Sequence, residues 1–229
     1  MEFIVEGLLK AFQLLFQGDR ETYSAVLATV KVSSISMTFS LTAGIPLGYL
    51  LGYLHFPGKK GLRTIVDTML ALPTVFVGLV VYAFISTRGP FGELGLLFTL
   101  NGIAIGQAIL ALPIVISLTA TSVESLDRAL QLTLKSLGAS PLQIFRTTIW
   151  EARMGLVIAG ITATGRVLTE VGVSMMVGGN IKWHTRTITT AIALETNKGQ
   201  FATGIALGLV LLAMAFTINI SLSSLRRRA

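Results

Sequence analysis

Arg166 and Glu170 are the only charged residues between Met154 and Ile181, in the segment MGLVIAGITATGRVLTEVGVSMMVGGNI. At i, i+4 on a helix the two side chains can reach each other, although arginine before glutamate is the weaker order for such a pair. The planar donor fork of a guanidinium matches a tetrahedral oxyanion, and a neighbouring carboxylate could hold or neutralise it between anions. The same spacing suits an ion pair that only fixes helix packing. Gly178, Gly179 and Asn180 follow. Successive backbone N–H groups there could form an anion-binding concavity, or the glycines could simply end the helix and turn the chain.

What these residues can do depends on the elements that hold them. Of 229 residues, 52% are hydrophobic and 13% charged, against about 25% charged in an ordinary soluble domain. A membrane-crossing helix needs about 20 mostly apolar residues, and five segments qualify: 23–54, 65–86, 101–121, 153–176 and 202–223. Gly44, Pro46, Pro73 and Pro113 lie inside them, where neighbouring helices can tolerate such residues. The expected fold class is all-α, a polytopic membrane protein of five transmembrane helices in one domain spanning 1–229. Arg166 and Glu170 then fall within the fourth span, about 20 Å from its start at Arg153. Charge there costs at least about 2.5 kcal/mol by insertion scales and normally faces the bundle interior.

The loops set the orientation. Lys59, Lys60 and Arg63 follow the first span, Arg128, Lys135, Arg146 and Arg153 follow the third, and the chain ends in RRRA. An odd number of spans keeps these three groups on one side, which the positive-inside rule makes the cytoplasm. The amino terminus and a loop at 177–200 then lie outside. The net charge of +7 reads as topology, because no basic patch interleaved with aromatic residues points to nucleic acid. Residues 1–20 carry Glu2 and Glu6 where a cleaved signal would be basic. Their Ile4, Leu8, Ala11, Phe12 and Leu15 have helical spacing, as in an amphipathic helix at the membrane surface or a first helix packed on its neighbours. The 23 glycines favour close helix packing and association with a second copy.

Residues 122–151 form the one cytoplasmic loop long enough for its own structure. Leu130, Leu134 and Leu137 have helical spacing, and Gly138 stands where a left-handed residue would stop that helix. Ser140 is an N-cap, Pro141 suits the first helical position, and Gln143 completes a capping box. Leu142, Phe145 and Ile149 line the second helix. Two capped helices make a rigid hairpin, suited to docking and to transmitting a push; covering the chain's own lower surface is the alternative.

Several chemistries are excluded. There is no cysteine and no G-x-x-x-x-G-K-[ST] phosphate loop. His55 and His184, the only histidines, fall on opposite sides and cannot share a metal or a catalytic dyad. Asp67 and Glu124, near span ends, suit helix capping. No paired membrane aspartates support intramembrane proteolysis. Trp150 and Trp183 fit membrane-interface positions.

LKSLGASPLQIFRTTI (134–149) resembles the cytoplasmic loop of ABC-transporter permeases of the type I importer class, with its E-A-A-x-x-x-G pattern. Gly138, Ala139 and Phe145 match it. Leu132, Thr133 and Leu134 stand at the acidic start, and Glu151 replaces the terminal proline. TRGPFGELGLLFT (87–99), GRVLTEVGVSMMVGGNI (165–181) and TRTITTAIALETNKGQF (185–201) resemble stretches of the oxyanion branch, above all tungstate permeases. The resemblance implies that the hairpin holds a coupling helix, Gly138, Ala139, Ser140, Pro141 and Phe145 engaging a separate cytoplasmic ABC ATPase. ATP and its Mg ion would belong to that subunit, leaving this chain with no catalytic residue, cofactor or metal. It further implies a homodimer, an extracytoplasmic oxyanion-binding protein, and import of tungstate or molybdate by alternating access, with sulfate or another anion as the alternative. Arg166, Glu170, Gly179 and Asn180 are the candidates for the anion's path. The rival classes are an ion-gradient-driven transporter with Glu170 as proton carrier, and a membrane scaffold that recruits a partner. At the outer end, Thr185 is expected to cap a short helix that Gly199 ends, with Ile188, Ile192 and Glu195 placed to meet a binding protein or seal the vestibule.

Overall fold

In the computed structural model of the chain, residues 6–7, 9–11, 13–14 and 19–228 are described. Among them all regular structure is helical. Helix α1 is Arg20–Tyr53, α2 Lys59–Met69 and α3 Thr74–Ile85, followed by a 3-10 turn at Gly92–Leu94 and by α4, Leu100–Glu124. Then come α5 (Arg128–Ser136), α6 (Pro141–Glu151), α7 (Arg153–Leu168), α8 (Gly172–Gly178), α9 (Ile188–Asn197) and α10 (Phe201–Arg228).

The long helices start where side chains can cap them. The Asp19 carboxylate accepts from the Thr22 N–H at 2.8 Å, and the Thr99 hydroxyl accepts from the Gly102 N–H at 3.0 Å, satisfying N–H groups that the first turn leaves without partners. Pro46 and Pro113 remain inside α1 and α4. These two helices run parallel in continuous contact, with Gly44 on Val115, Gly48 on Thr119 and Gly52 on Val123. Helix α7 runs antiparallel to both, placing Ala163 and Val167 with Met37, Ala111 and Val115 in one apolar core.

Among the described residues, three helices are long and apolar enough to cross a membrane: α1, α4 and Phe201–Ser221 of α10. The other two crossings are broken. Helices α2 and α3 bend by 98°, and α7 and α8 by 55°, so there are five spans if each bent pair counts as one. The continuous span expected at 65–86 is therefore corrected. Pro73, N-cap of α3, lacks an N–H and biases Leu72 away from helical geometry, and the polar α2 turns aside. Helix α3 has 12 residues, about 18 Å, short of the roughly 30 Å hydrocarbon core.

Helix α2 is tied across to α4. Lys59 pairs with Glu124 at 3.0 Å, Arg63 pairs with Asp67 at 3.1 Å and donates to Thr121 at 2.6 Å, and Ser117 donates to Asp67 at 2.6 Å. Asp67 and Glu124 thus cross-link two helices rather than cap them. This network, with Gly155 at the start of α7 against Ser122, gathers the first two basic segments at one end of the bundle. Helix α10 begins at the opposite end, where Leu207 and Val210 pack with Ala25, and runs from there to its basic terminus.

The expected outer loop 177–200 is largely structured. Helix α9 packs into the bundle, with Ile188 and Ala191 against Ala25, Leu207 and Val210. Ile188, expected to face a partner or the vestibule, is fully buried. In the amino-terminal segment, Ile4, Leu8, Phe12 and Leu15 lie outside the described residues; Ala11 is buried and Lys10 donates to Thr203 on α10 at 2.7 Å.

Candidate functional site

The hairpin is built from local signals. Gly138, at φ 71°, takes the left-handed conformation that glycine adopts without steric cost. Its N–H donates to Lys135 O and the Ala139 N–H to Leu134 O, both at 3.0 Å, the two bonds of a Schellman stop. Ser140 then caps α6: its hydroxyl accepts from the Gln143 N–H, and the Gln143 side chain accepts from the Ser140 N–H at 2.7 Å. Both bonds expected from the sequence are present. Ser140, Pro141 and Gly138 are exposed at the tip and Ala139 is half-buried. Leu137 is 78% exposed, and Leu132 and Leu142 are exposed beside it.

Phe145 has a different place. Its ring meets Tyr49 edge-on at 4.8 Å, and Tyr49 stacks on Tyr53 at 5.0 Å. With Val123, Leu126 and Ile149 it joins α6 to the ends of α1 and α4. The inward face of α6 is Ile144, Phe145, Thr148 and Ile149, whereas Leu142 points out. Phe145 therefore anchors the hairpin, and the tip stays free to touch something else.

Arg166 and Glu170 straddle the break in the fourth crossing. Glu170 follows the end of α7, and its carboxylate accepts from the Val173 N–H at 2.9 Å. A carboxylate at the start of α8 satisfies an otherwise unpartnered N–H and meets the positive end of the helix. The Thr189 hydroxyl donates to Glu170 O at 2.8 Å, joining α9 to the break. Arg166 Nη1 lies 3.7 Å from Glu170 Oε2, beyond ordinary hydrogen-bond length. The arginine side chain is 35% exposed and the glutamate 1%. The carboxylate is committed to the fold, while the guanidinium is the partly exposed member of the pair.

Gly179 ends α8 at φ 67°. Its N–H donates to Met175 O, and the Ile181 N–H donates to the Thr185 hydroxyl, so these amides are used within the chain. Asn180 Oδ1 accepts from Arg186 Nε at 3.1 Å, and Arg186 also pairs with Glu21, as does Lys182 at 2.6 Å. Thr185 was expected to cap the outer helix. Instead its hydroxyl binds Gly178 O, and Thr187 caps α9 through a reciprocal pair with Thr190. Gly199, at φ 78°, follows the end of that helix as expected.

The start of α9 links the two groups of candidates: Thr189 reaches Glu170, and the Thr190 carbonyl accepts from Asn180 Nδ2 at 3.5 Å. Sequence reasoning missed Thr189, Arg186 and Gln107. Gln107 is buried and accepts from the Ser36 hydroxyl at 3.3 Å while donating at 3.4 Å to Val167 O, a carbonyl at the broken end of α7 that also accepts from the Glu170 N–H at 3.2 Å. An amide in the middle of an apolar span was the signal available for it.

This arrangement agrees with what known proteins contribute. Residues 44–229 match the family described as binding-protein-dependent transport system inner membrane component. The tungstate uptake system permease protein TupB of Campylobacter jejuni subsp. jejuni is 50% identical over 227 residues, covering 99% of this chain and 95% of that one. The molybdenum transport system permease protein ModB of Escherichia coli K12 is 30% identical over 188 residues, covering 78% and 82%. A chain from the crystal structure of a bacterial alginate ABC transporter, in complex with alginate pentasaccharide-bound periplasmic protein, superposes with a TM-score of 0.77 at 19% identity, covering 97% of this chain and 86% of that one. At that identity the likeness concerns the fold. Family match, full-length relatives and bundle agree: the chain belongs to the binding-protein-dependent transport system inner membrane component family, a membrane permease of the ABC importer type.

Proposed function

We propose that this permease carries tungstate, with molybdate as the secondary substrate, in an importer driven by a separate ATPase. The observation that carries this reading is the 50% identity to a tungstate uptake permease along 99% of the chain, against 30% to a molybdenum permease. The basic end of the bundle faces the cytoplasm and the amino terminus lies outside, as the positive-inside rule requires. Two copies form the pathway, and an extracytoplasmic binding protein supplies the anion.

The tip of each hairpin, Leu137 to Pro141, engages the ATPase. Closure of the ATPases on ATP moves the tips, and Phe145 on Tyr49 passes that motion to α1. The bundle then exchanges its opening from one side to the other. Arg166 presents its guanidinium to the passing dianion, and Glu170 holds the break in place. One guanidinium does not distinguish tetrahedral dianions, and a permease must release what it admits, so tight selection belongs to the binding protein.

Uptake into proteoliposomes containing the chain, the ATPase and the binding protein tests the proposal. ATP-dependent tungstate accumulation, competed by molybdate more strongly than by sulfate, is expected. Accumulation by the chain alone under a proton gradient would overturn it.

A further inference from the structure

At the basic end of the bundle, a cavity of about 580 Å3 opens between α1, α6 and α7. Leu41, Ile45, Ile149, Leu156 and Val157 form its floor and walls. Arg146, Trp150 and Arg153 also line it. The Arg153 guanidinium lies 4.9 Å from the Trp150 ring centre and donates to Trp150 O at 2.8 Å, while Arg146 and Trp150 are exposed.

We propose that this cavity holds an acidic phospholipid of the leaflet bordering the basic end, with the two arginines on the phosphate and an acyl chain along the apolar wall. Charge complementarity selects this occupant. Two guanidiniums beside an apolar slot match a lipid that has a net-negative headgroup and a hydrocarbon tail, and basic pockets between membrane helices suit such headgroups. Trp150 is placed as an interfacial aromatic, with its ring between water and hydrocarbon. A zwitterionic lipid offers the same tail without the net charge. The ATPase-facing tip at Leu137–Pro141 lies at the other end of α6, so both contacts can exist at once, and the proposal does not depend on which anion is transported.

Trp150 itself reports the occupant. In a Trp183→Phe background, the full-length chain in mixed micelles is titrated with brominated phosphatidylglycerol or brominated phosphatidylcholine. Quenching of Trp150 at a roughly tenfold lower fraction of the acidic lipid is expected. Arg146→Gln with Arg153→Gln should remove that preference, and the corresponding lysine pair should retain most of it. Equal quenching by both lipids, an undiminished preference in the glutamine pair, or full competition by soluble glycerol 3-phosphate would overturn the proposal. The chain has no cysteine, so Val157→Cys adds a single thiol: cross-linking of that thiol to a second copy or to the ATPase would assign the cavity to a protein and also overturn it.

Discussion

Gly172 stands directly against Thr74: a side-chain carbon on Gly172 would meet Thr74 Oγ1 at 2.7 Å and Val75 N at 2.9 Å. Thr74 is the first residue of α3 and Gly172 the first of α8, so the two broken crossings touch where each helix restarts. Gly172→Ala should force them apart at a cost of about 1–3 kcal/mol, the usual range for overpacking. Thermal unfolding of the purified chain in detergent measures this, and an unchanged midpoint would mean that the contact yields freely.

Glu170 should separate its charge from its capping role. Glu170→Gln keeps an acceptor for the Val173 N–H, whereas Glu170→Ala removes it, for which a loss of about 1 kcal/mol is typical of caps. The expected order of unfolding midpoints is wild type, then Gln, then Ala. Equal midpoints for Gln and Ala would indicate that the bond at 2.9 Å contributes little.

Arg166→Ala removes the partly exposed member of the pair and leaves the cap intact. Anion uptake in the reconstituted transporter should fall severalfold or more, while assembly with the ATPase and the unfolding midpoint stay near wild type. Normal uptake would reduce Arg166 to a packing residue.

The hairpin offers a contrast between tip and anchor. Leu137→Asp changes a side chain that is 78% exposed, and should weaken co-purification with the ATPase while sparing the fold. Phe145→Ala removes the ring that meets Tyr49 at 4.8 Å. It should cost on the order of 2 kcal/mol, less than the usual loss for a fully buried ring. If Leu137→Asp leaves co-elution and coupled hydrolysis unchanged, the tip is not the docking element.

Thr189→Val tests the bridge from α9 to the break. The threonine hydroxyl donates to the backbone Glu170 O, and losing that bond should cost about 1 kcal/mol, read as a lowered unfolding midpoint. An unchanged midpoint would show that the bridge contributes little to the fold.

The amino-acid sequence by itself determined the apolar segments, the gathering of the basic ones at one end and the hairpin stop and cap at Gly138 and Ser140. Each depends on residues close together in the chain: composition over one span, or side chains bonding a backbone three or four positions away. Only the tertiary structure decided which interruptions are absorbed and which bend the chain. Pro46 and Pro113 stay within helices, while Pro73 coincides with a 98° bend, because a backbone group freed by proline must find its replacement partner on whatever packs beside it. The same holds for Glu170, which pairs with Arg166 at 3.7 Å as its spacing suggested but whose carboxylate also accepts from the Val173 N–H across the break, and for Phe145, turned inward by Tyr49. Partners distant in sequence settle these side chains, and no local pattern encodes where those partners stand.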